Sequence, residues 1–91
     1  MDTPRLVMDD AAVAMLGTTT GMTGPEYLKQ INERGARLSD VRRLFHACAQ
    51  TDRPGYTVDQ ARDATDELGP LAAAQLIANT LLASPLFLKA D

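Results

Sequence analysis

The chain has 91 residues, of which 45% are hydrophobic but only 4% aromatic, so we expect one small domain with an aliphatic core. Nine basic and twelve acidic side chains give a net charge of -3, which disfavours a polyanionic partner. The single cysteine excludes an internal disulfide, and the first residues lack the pattern of a secretory signal. The apolar stretch at residues 71–88 is too interrupted to cross a membrane. We therefore expect a cytoplasmic protein.

The chain begins with a lead, residues 1–8, which we expect to be a brief strand or an extended segment on the core. Asp9 or Asp10 can cap a first helix through Leu16, because a side-chain oxygen there accepts from a free backbone N–H. We expect Gly17 to close this helix. Residues 18–21 are rich in threonine, which has low helix propensity, and are predicted to form a turn.

Capping residues and apolar spacing predict the second and third helices. Thr23 and Glu26 have the spacing of a capping box, Pro25 fits the first turn of the second helix, and Gly35 ends it. One face of this helix carries Tyr27, Leu28 and Ile31. Ser39 is expected to cap the third helix. Its inner face, read from i, i+3, i+4, i+7 spacing, consists of Val41, Leu44, Phe45 and Cys48.

The fourth and fifth helices follow a turn at residues 52–55, which contains Asp, Pro and Gly. Thr57 is expected to cap the fourth helix, and Gly69 to end it. Its predicted inner face consists of Val58, Ala61, Ala64, Thr65 and Leu68. The fifth helix begins at Pro70 and ends before Pro85. Its predicted inner positions are Leu71, Ala74, Ala78, Leu81 and Leu82.

These elements predict an all-α fold, a bundle of about five short helices in a single domain over residues 1–91. The helical core is residues 9–83, and residues 84–91 form an apolar tail. Because exposed apolar patches usually mark interaction sites, we expect the tail either to fold back onto the core or to dock on another chain. The candidate partner-binding residues are Met22, Tyr27, Leu82, Leu86, Phe87 and Leu88. The alternative that each of them fills the core stays open.

Little in the sequence points to reaction chemistry. His46 and Cys48 lie two positions apart on one helix and therefore point to different faces. We expect Cys48 in the core and His46 on the solvent side, and one of each cannot complete a zinc site. The carboxylates of the fourth helix are interpreted as a solvated face: Asp59, Asp63, Asp66 and Glu67. We predict no catalytic, cofactor-binding or metal-binding residue, and no enzyme activity.

A basic cluster lies around the junction of helices two and three: Arg34, Arg37, Arg42 and Arg43. Helices three and four, joined by a turn, suggest a helix-turn-helix. However, the fourth helix presents acids where a recognition helix carries Arg, Asn or Gln. We therefore expect no nucleic-acid partner, and interpret the arginines as a patch for an acidic protein.

The order of helices and turns along the chain is similar to that of a known protein family. An alanine-rich helix (residues 11–16) precedes the turn Thr20-Gly21-Met22, and a leucine-bearing helix follows at 27–31. Residues 41–49 combine an aromatic with small residues, and residues 56–61 open a threonine-capped acidic helix. Over roughly residues 6–83 this order resembles the small tail assembly chaperones of long-tailed phages and gene transfer agents.

The resemblance implies a non-enzymatic helper in virion assembly. Such proteins bind and solubilise the long tape-measure protein and help recruit tail-tube subunits. We also expect a homo-oligomer, because a small helical domain gains stability by burying an apolar tail against a neighbour. Two alternatives stay open: a small helical adaptor or inhibitor that binds a folded host protein, and a DNA-binding regulator.

Overall fold

The computed structural model describes residues 3–83, in which five α-helices and no strand occur. The helices are α1 (Asp10–Thr20), α2 (Gly24–Arg34), α3 (Leu38–Cys48), α4 (Val58–Leu68) and α5 (Pro70–Ala83). The predicted all-α class and the number of helices are confirmed. The tail predicted at residues 84–91 lies outside the described residues.

Capping chemistry places α2 and α4 where the sequence predicts them. The Thr23 hydroxyl accepts from the backbone N–H of Glu26 at 3.2 Å, and the Glu26 carboxylate accepts from the N–H of Thr23 at 3.0 Å. Thr57 and Gln60 form the same reciprocal pair, at 3.1 and 2.8 Å. Each box satisfies two backbone donors that the first helical turn leaves free.

The predicted end of α1 is wrong. The helix continues through Gly17 and ends only at Gly21, so the three threonines are helical rather than a turn. The Thr18 hydroxyl donates to the carbonyl of Ala14 at 3.1 Å, and the Thr20 hydroxyl donates to Leu16 at 2.6 Å. These bonds satisfy the hydroxyls within the helix, so the low helix propensity of threonine does not end α1 at Gly17.

The predicted cap of α3 is also wrong. The helix begins at Leu38, after Arg37, and Ser39 lies inside its first turn. Asp40 supplies the capping contact, because its carboxylate accepts from the backbone N–H of Arg37 at 2.9 Å. An acidic side chain in the first turn also interacts favourably with the positive end of the helix dipole.

The central helix of the fold is α3, which packs against α1, α4 and α5. Its predicted inner face is confirmed, since Val41, Leu44, Phe45 and Cys48 are all buried. Ala61 and Ala64 of α4 are buried beside it, and their small side chains allow the two helices to approach closely.

Sequence periodicity misplaces part of the inner faces of α4 and α5. Val58 is 60% exposed, Leu71 is 88% exposed, and Leu82 is 70% exposed. Ala78 is exposed as well, and the residues that α5 buries are Ala73 and Ile77. Apolar residues lie on nearly every side of α5, so their spacing in the sequence does not show which face is buried. The buried face is decided by the helices that pack against α5.

The lead takes the extended alternative and lies on the core. The backbone N–H of Val7 donates to the carbonyl of Cys48 at 3.0 Å, and the N–H of Arg5 donates to the carboxylate of Asp52 at 2.9 Å. Met8 is buried at the start of α1. Within residues 3–83, no helix has both the length and the apolar character that a membrane crossing requires.

A close approach of α1 and α2 gives the first testable prediction. A Cβ atom added to Gly24 would lie 2.9 Å from a methyl carbon of Val13, whereas one added to Gly17 would meet nothing closer than 3.6 Å. We expect Gly24→Ala to lower the free energy of unfolding by about 1 kcal/mol or more, through overpacking. Gly17→Ala should raise it by about 0.5–1 kcal/mol, through helix propensity. Urea denaturation followed by circular dichroism measures the free energy of unfolding of both variants. A change of the same sign in Gly24→Ala and Gly17→Ala would contradict the close packing of α1 and α2.

Candidate functional site

The principal concave surface is an apolar groove between α2 and α5, with a volume of about 420 Å³. Leu28 and Ile31 of α2 form one wall, and Val41 and Leu44 of α3 form the floor. The other wall belongs to α5 and consists of Ala74, Ile77, Ala78, Leu81 and Leu82. Among the lining residues within 3–83, Asn32 is the one with a polar side chain, so these residues offer few side-chain hydrogen bonds. We name this surface the α2–α5 groove.

Beside the groove, polar contacts join α2 to the start of α3. The Tyr27 hydroxyl donates to Oδ1 of Asp40 at 2.6 Å. The Arg34 guanidinium donates to both carboxylate oxygens of Asp40, at 2.8 and 3.0 Å. Asp40 is only 2% exposed, so this carboxylate is a buried charge with a bidentate partner. Tyr27 and Arg34 of α2 therefore bond to α3, whereas Leu28 and Ile31 of the same helix line the groove.

The surroundings of Asp40 keep its carboxylate ionised and fully hydrogen-bonded, as expected of a structural rather than a reactive group. Hydrogen bonds from Arg34 hold the pKa of Asp40 well below its usual range, against the effect of burial, and Tyr27 and the Arg37 N–H add to this. Burial and the bond to Asp40 raise the pKa of Tyr27. The Arg43 guanidinium lies over the Tyr27 ring, 5.6 Å from its centroid. Both carboxylate oxygens already have donors, so the cluster is built to hold helices together.

The structure separates the predicted partner-binding residues. Tyr27 is a correction: it is 1% exposed, and its hydroxyl bonds to Asp40, so a partner cannot reach it in this conformation. Met22 is half-buried and packs against the core. Leu82 is exposed and lines the α2–α5 groove. The three remaining candidates lie outside the described residues: Leu86, Phe87 and Leu88.

The sequence points to most of the lining residues but not to the groove that they form together. Leu28 and Ile31 were placed on one face of their helix, but nothing in the sequence showed that α5 lies opposite them. Ile77 was missed altogether, although it is the buried aliphatic residue of α5 nearest the centre of the helix. The apolar, nearly unpatterned sequence of α5 was the available signal, since such a helix can bury one face and offer another.

The two candidate nucleophiles are both buried. The expectation that His46 faces solvent is wrong, because it is 7% exposed, and burial lowers its pKa. Cys48 lies in the core as expected, and burial raises the pKa of its thiol to about 12, so the reactive thiolate is scarce near neutral pH. No group of three potential metal ligands occurs within residues 3–83.

The arginine cluster is largely occupied by carboxylates of the same chain. Arg34 binds Asp40, and Arg42 donates to Asp66 of α4 at 2.7 Å. The exposed acidic face of α4 is confirmed, with all four of its carboxylate residues exposed: Asp59, Asp63, Asp66 and Glu67. These pairings reduce the positive charge that the predicted basic patch would offer to an acidic partner.

Comparison of the chain with protein-family models, curated proteins and solved structures finds no match. A functional assignment therefore depends on the geometry of the groove and on the order of the elements along the chain.

The buried carboxylate gives the second prediction. Asp40→Asn should lower the free energy of unfolding by about 2–3 kcal/mol, because a neutral amide replaces a buried carboxylate that accepts from Tyr27, Arg34 and the Arg37 N–H. Asp66→Asn is the matched control: it also removes an arginine partner, but at the exposed surface, and should cost less than about 1 kcal/mol. Chemical denaturation at pH 7 compares the two variants. Similar losses of unfolding free energy in the two variants would show that the burial of Asp40 contributes little to stability.

The same carboxylate should make stability depend on acid. Its pKa is lower in the folded than in the unfolded protein, so its contribution is complete above about pH 4 and is lost as the pH falls toward the folded value. The wild type should therefore lose stability between about pH 4 and pH 2 more steeply than Asp40→Asn. Parallel curves for the two proteins over this range would contradict the assignment.

Proposed function

We propose that this protein is a non-enzymatic tail assembly chaperone, which binds and solubilises an apolar helical part of a tape-measure protein and helps recruit tail-tube subunits. The observation that carries the proposal is the open α2–α5 groove, whose lining is apolar apart from Asn32. The order of helices along the chain, which resembles that family, supplies the kind of client. The site of action would be the cytoplasm of the host cell.

The dimensions of the groove suit one face of a helix. Its α5 wall extends from Ala74 to Leu82, which is about 12 Å along the helix axis, or about two turns of a client helix. An amphipathic helix would place side chains at i, i+3 or i+4, and i+7 between the two walls. Contacts made almost entirely by aliphatic side chains select for apolar character rather than for one sequence. That property fits a chaperone whose long client offers many similar segments.

The distribution of charge supports the same role. Four exposed acidic residues lie on α4, a helix that contributes no described residue to the groove lining, and no acidic side chain is among the described lining residues. A net charge of -3 then remains on the outside of a client that carries several copies. Binding of this kind needs no nucleophile, metal or cofactor, and self-association of neighbouring copies would follow from their spacing along the client.

Gene context and co-expression test the chaperone assignment. We expect a slippery heptamer near the end of the gene, an overlapping reading frame, and then a very long reading frame with a helical pattern. Co-expression should keep the product of that long frame in the soluble fraction. A gene that stands beside regulators, or a protein that binds only a folded partner, would contradict the assignment and favour the adaptor alternative.

A matched pair of leucines tests the groove itself. Leu82 lines the groove and is 70% exposed, whereas Leu71 is 88% exposed on the same helix and does not line it. Leu82→Asp should weaken the binding of an amphipathic segment of the client at least about tenfold, since one buried leucine contributes about 1.5–3 kcal/mol. Leu71→Asp should leave affinity within about twofold of the wild type. Fluorescence anisotropy with a labelled client peptide measures affinity, and circular dichroism checks helix content. Equal losses in both variants would exclude the groove as the binding surface.

A further inference from the structure

We propose that a second cavity, between α3 and α4, binds the phosphate group of a small ligand through Arg42, Arg43 and Arg62. We name it the arginine cavity. Among residues 3–83, it shares no lining residue with the α2–α5 groove. The inference therefore goes beyond the proposed function and holds whether or not the groove binds a client.

The arginine cavity has a volume of about 330 Å³. The lining residues on its two main helices are Ser39, Arg42, Arg43 and His46 of α3 and Val58 and Arg62 of α4. The end of α1 closes one side, and no acidic side chain occurs in the described lining. Because one water molecule takes about 30 Å³ of liquid, the cavity has room for a phosphate group and several further atoms.

Helical spacing gathers these side chains. The lining residues of α3, from Ser39 to His46, follow i, i+3, i+4, i+7 spacing and therefore form one stripe along the helix. This stripe is separate from the apolar one that α3 buries in the core. Val58 and Arg62 lie four positions apart on one face of α4. Because α3 and α4 pack against each other, the guanidinium of Arg62 joins those of α3 at one concave surface.

The carboxylates that pair with Arg42 and Arg62 do so from the exposed side. Arg42 donates to Asp66 at 2.7 Å, and Nη2 of Arg62 lies 3.4 Å from Oδ1 of Asp59. Both carboxylates belong to exposed residues, and neither lines the cavity. Exposed ion pairs of this kind are weak, and each guanidinium has five N–H donors. Both arginines therefore keep donors for a ligand.

The third arginine adds a positive charge that its neighbours do not balance. Nη1 of Arg43 lies 4.0 Å from Asp40, but that carboxylate already binds Arg34 through both oxygens. The Arg43 guanidinium lies over the Tyr27 ring and donates to its hydroxyl at 3.3 Å. These contacts hold the side chain in place without neutralising it. A fixed positive charge at the cavity favours an anionic ligand.

Part of the Arg42 guanidinium is removed from water. Its Nε is buried and has no hydrogen-bond acceptor among residues 3–83. A charge in such a setting attracts an anion more strongly, because water screens it less. Ser39 lies in the first turn of α3, where the positive end of the helix dipole adds to the attraction. Burial lowers the pKa of His46, so its ring forms a neutral part of the wall near neutral pH.

A phosphate group matches three guanidiniums better than a carboxylate does. A phosphomonoester carries about two negative charges and three strong acceptor oxygens, and the planar fork of arginine donates to such oxygens in pairs. A carboxylate has two oxygens and one charge. A long polyanion is disfavoured, because α4 carries four exposed acidic residues and the chain has a net charge of -3. The geometry therefore favours a small phosphate-bearing molecule.

The Nε–H resonances of the arginines in the full-length protein test the proposal. Inorganic phosphate, added at constant ionic strength and about pH 7.5, should shift the resonances of Arg42, Arg43 and Arg62 along one saturable curve. Arg37 is exposed and outside the lining, so its resonance should stay in place. Equal shifts without saturation at all four arginines, or no shifts at all, would overturn the proposal.

A matched pair of arginine variants gives an independent measurement. Arg62→Gln should weaken phosphate affinity about tenfold, because it removes charge-assisted hydrogen bonds. Arg37→Gln removes the same charge outside the lining and should leave affinity within about twofold of the wild type. Circular dichroism checks that both variants are folded. Equal losses would show a general attraction to positive charge and would overturn the proposal. The wild-type titration decides the question even if a variant fails to fold.

Three further ligands identify the source of the anion. Glycerol phosphate shares the proposed chemistry with inorganic phosphate, and tighter binding of one of them assigns the site to an ester or to the free ion. Either result supports a phosphate site. Tetraglutamate and a short DNA oligonucleotide should bind these arginines more weakly than both. Tighter binding of the peptide would overturn the proposal in favour of an acidic protein segment, and tighter binding of the oligonucleotide would overturn it in favour of a nucleic acid.

Discussion

The buried carboxylate of Asp40 is the contact on which the arrangement of α2 depends. It accepts from the hydroxyl of Tyr27, from the guanidinium of Arg34 and from the backbone of Arg37, so one side chain joins the middle of α2, its end, and the start of α3. A buried charge is costly unless it has hydrogen-bond donors, and here the donors come from α2 and from the loop that joins it to α3. The interaction therefore specifies the position of α2 as much as it stabilises it.

That position explains why an apolar groove exists at all. Tyr27 and Arg34 lie seven residues apart on one side of α2 and are committed to Asp40. The neighbouring aliphatic residues Leu28 and Ile31 then face α5 across an open space rather than packing tightly against it. Helix α2 also packs against α1, and Leu28 and Ile31 contact the core with part of their surfaces. The rest of each side chain lines the groove, so the contacts that hold α2 also shape the surface proposed to bind a client.

The composition of the core favours the same outcome. Many of the buried positions are alanines, including Ala12, Ala61, Ala64 and Ala73, which allow close helix packing but bury little apolar area each. A small domain with such a core gains from any further apolar surface that covers it. Under the proposed function, a helical client is a source of that surface.

The sequence by itself determined those features that arise within a few residues of one another. The capping boxes of Thr23 and Thr57 and the inner face of α3 were predictable, because their hydrogen bonds and apolar spacing are local. Tertiary structure alone decided the extra turn of α1, the burial of His46 and the face that α5 buries. The groove belongs to this second group: Ile31 and Ile77 are far apart in the chain, and they line one groove because α2 and α5 are both placed around α3 by tertiary contacts. A pattern of residues specifies a helix, but the free energy of packing specifies which of its surfaces remains uncovered.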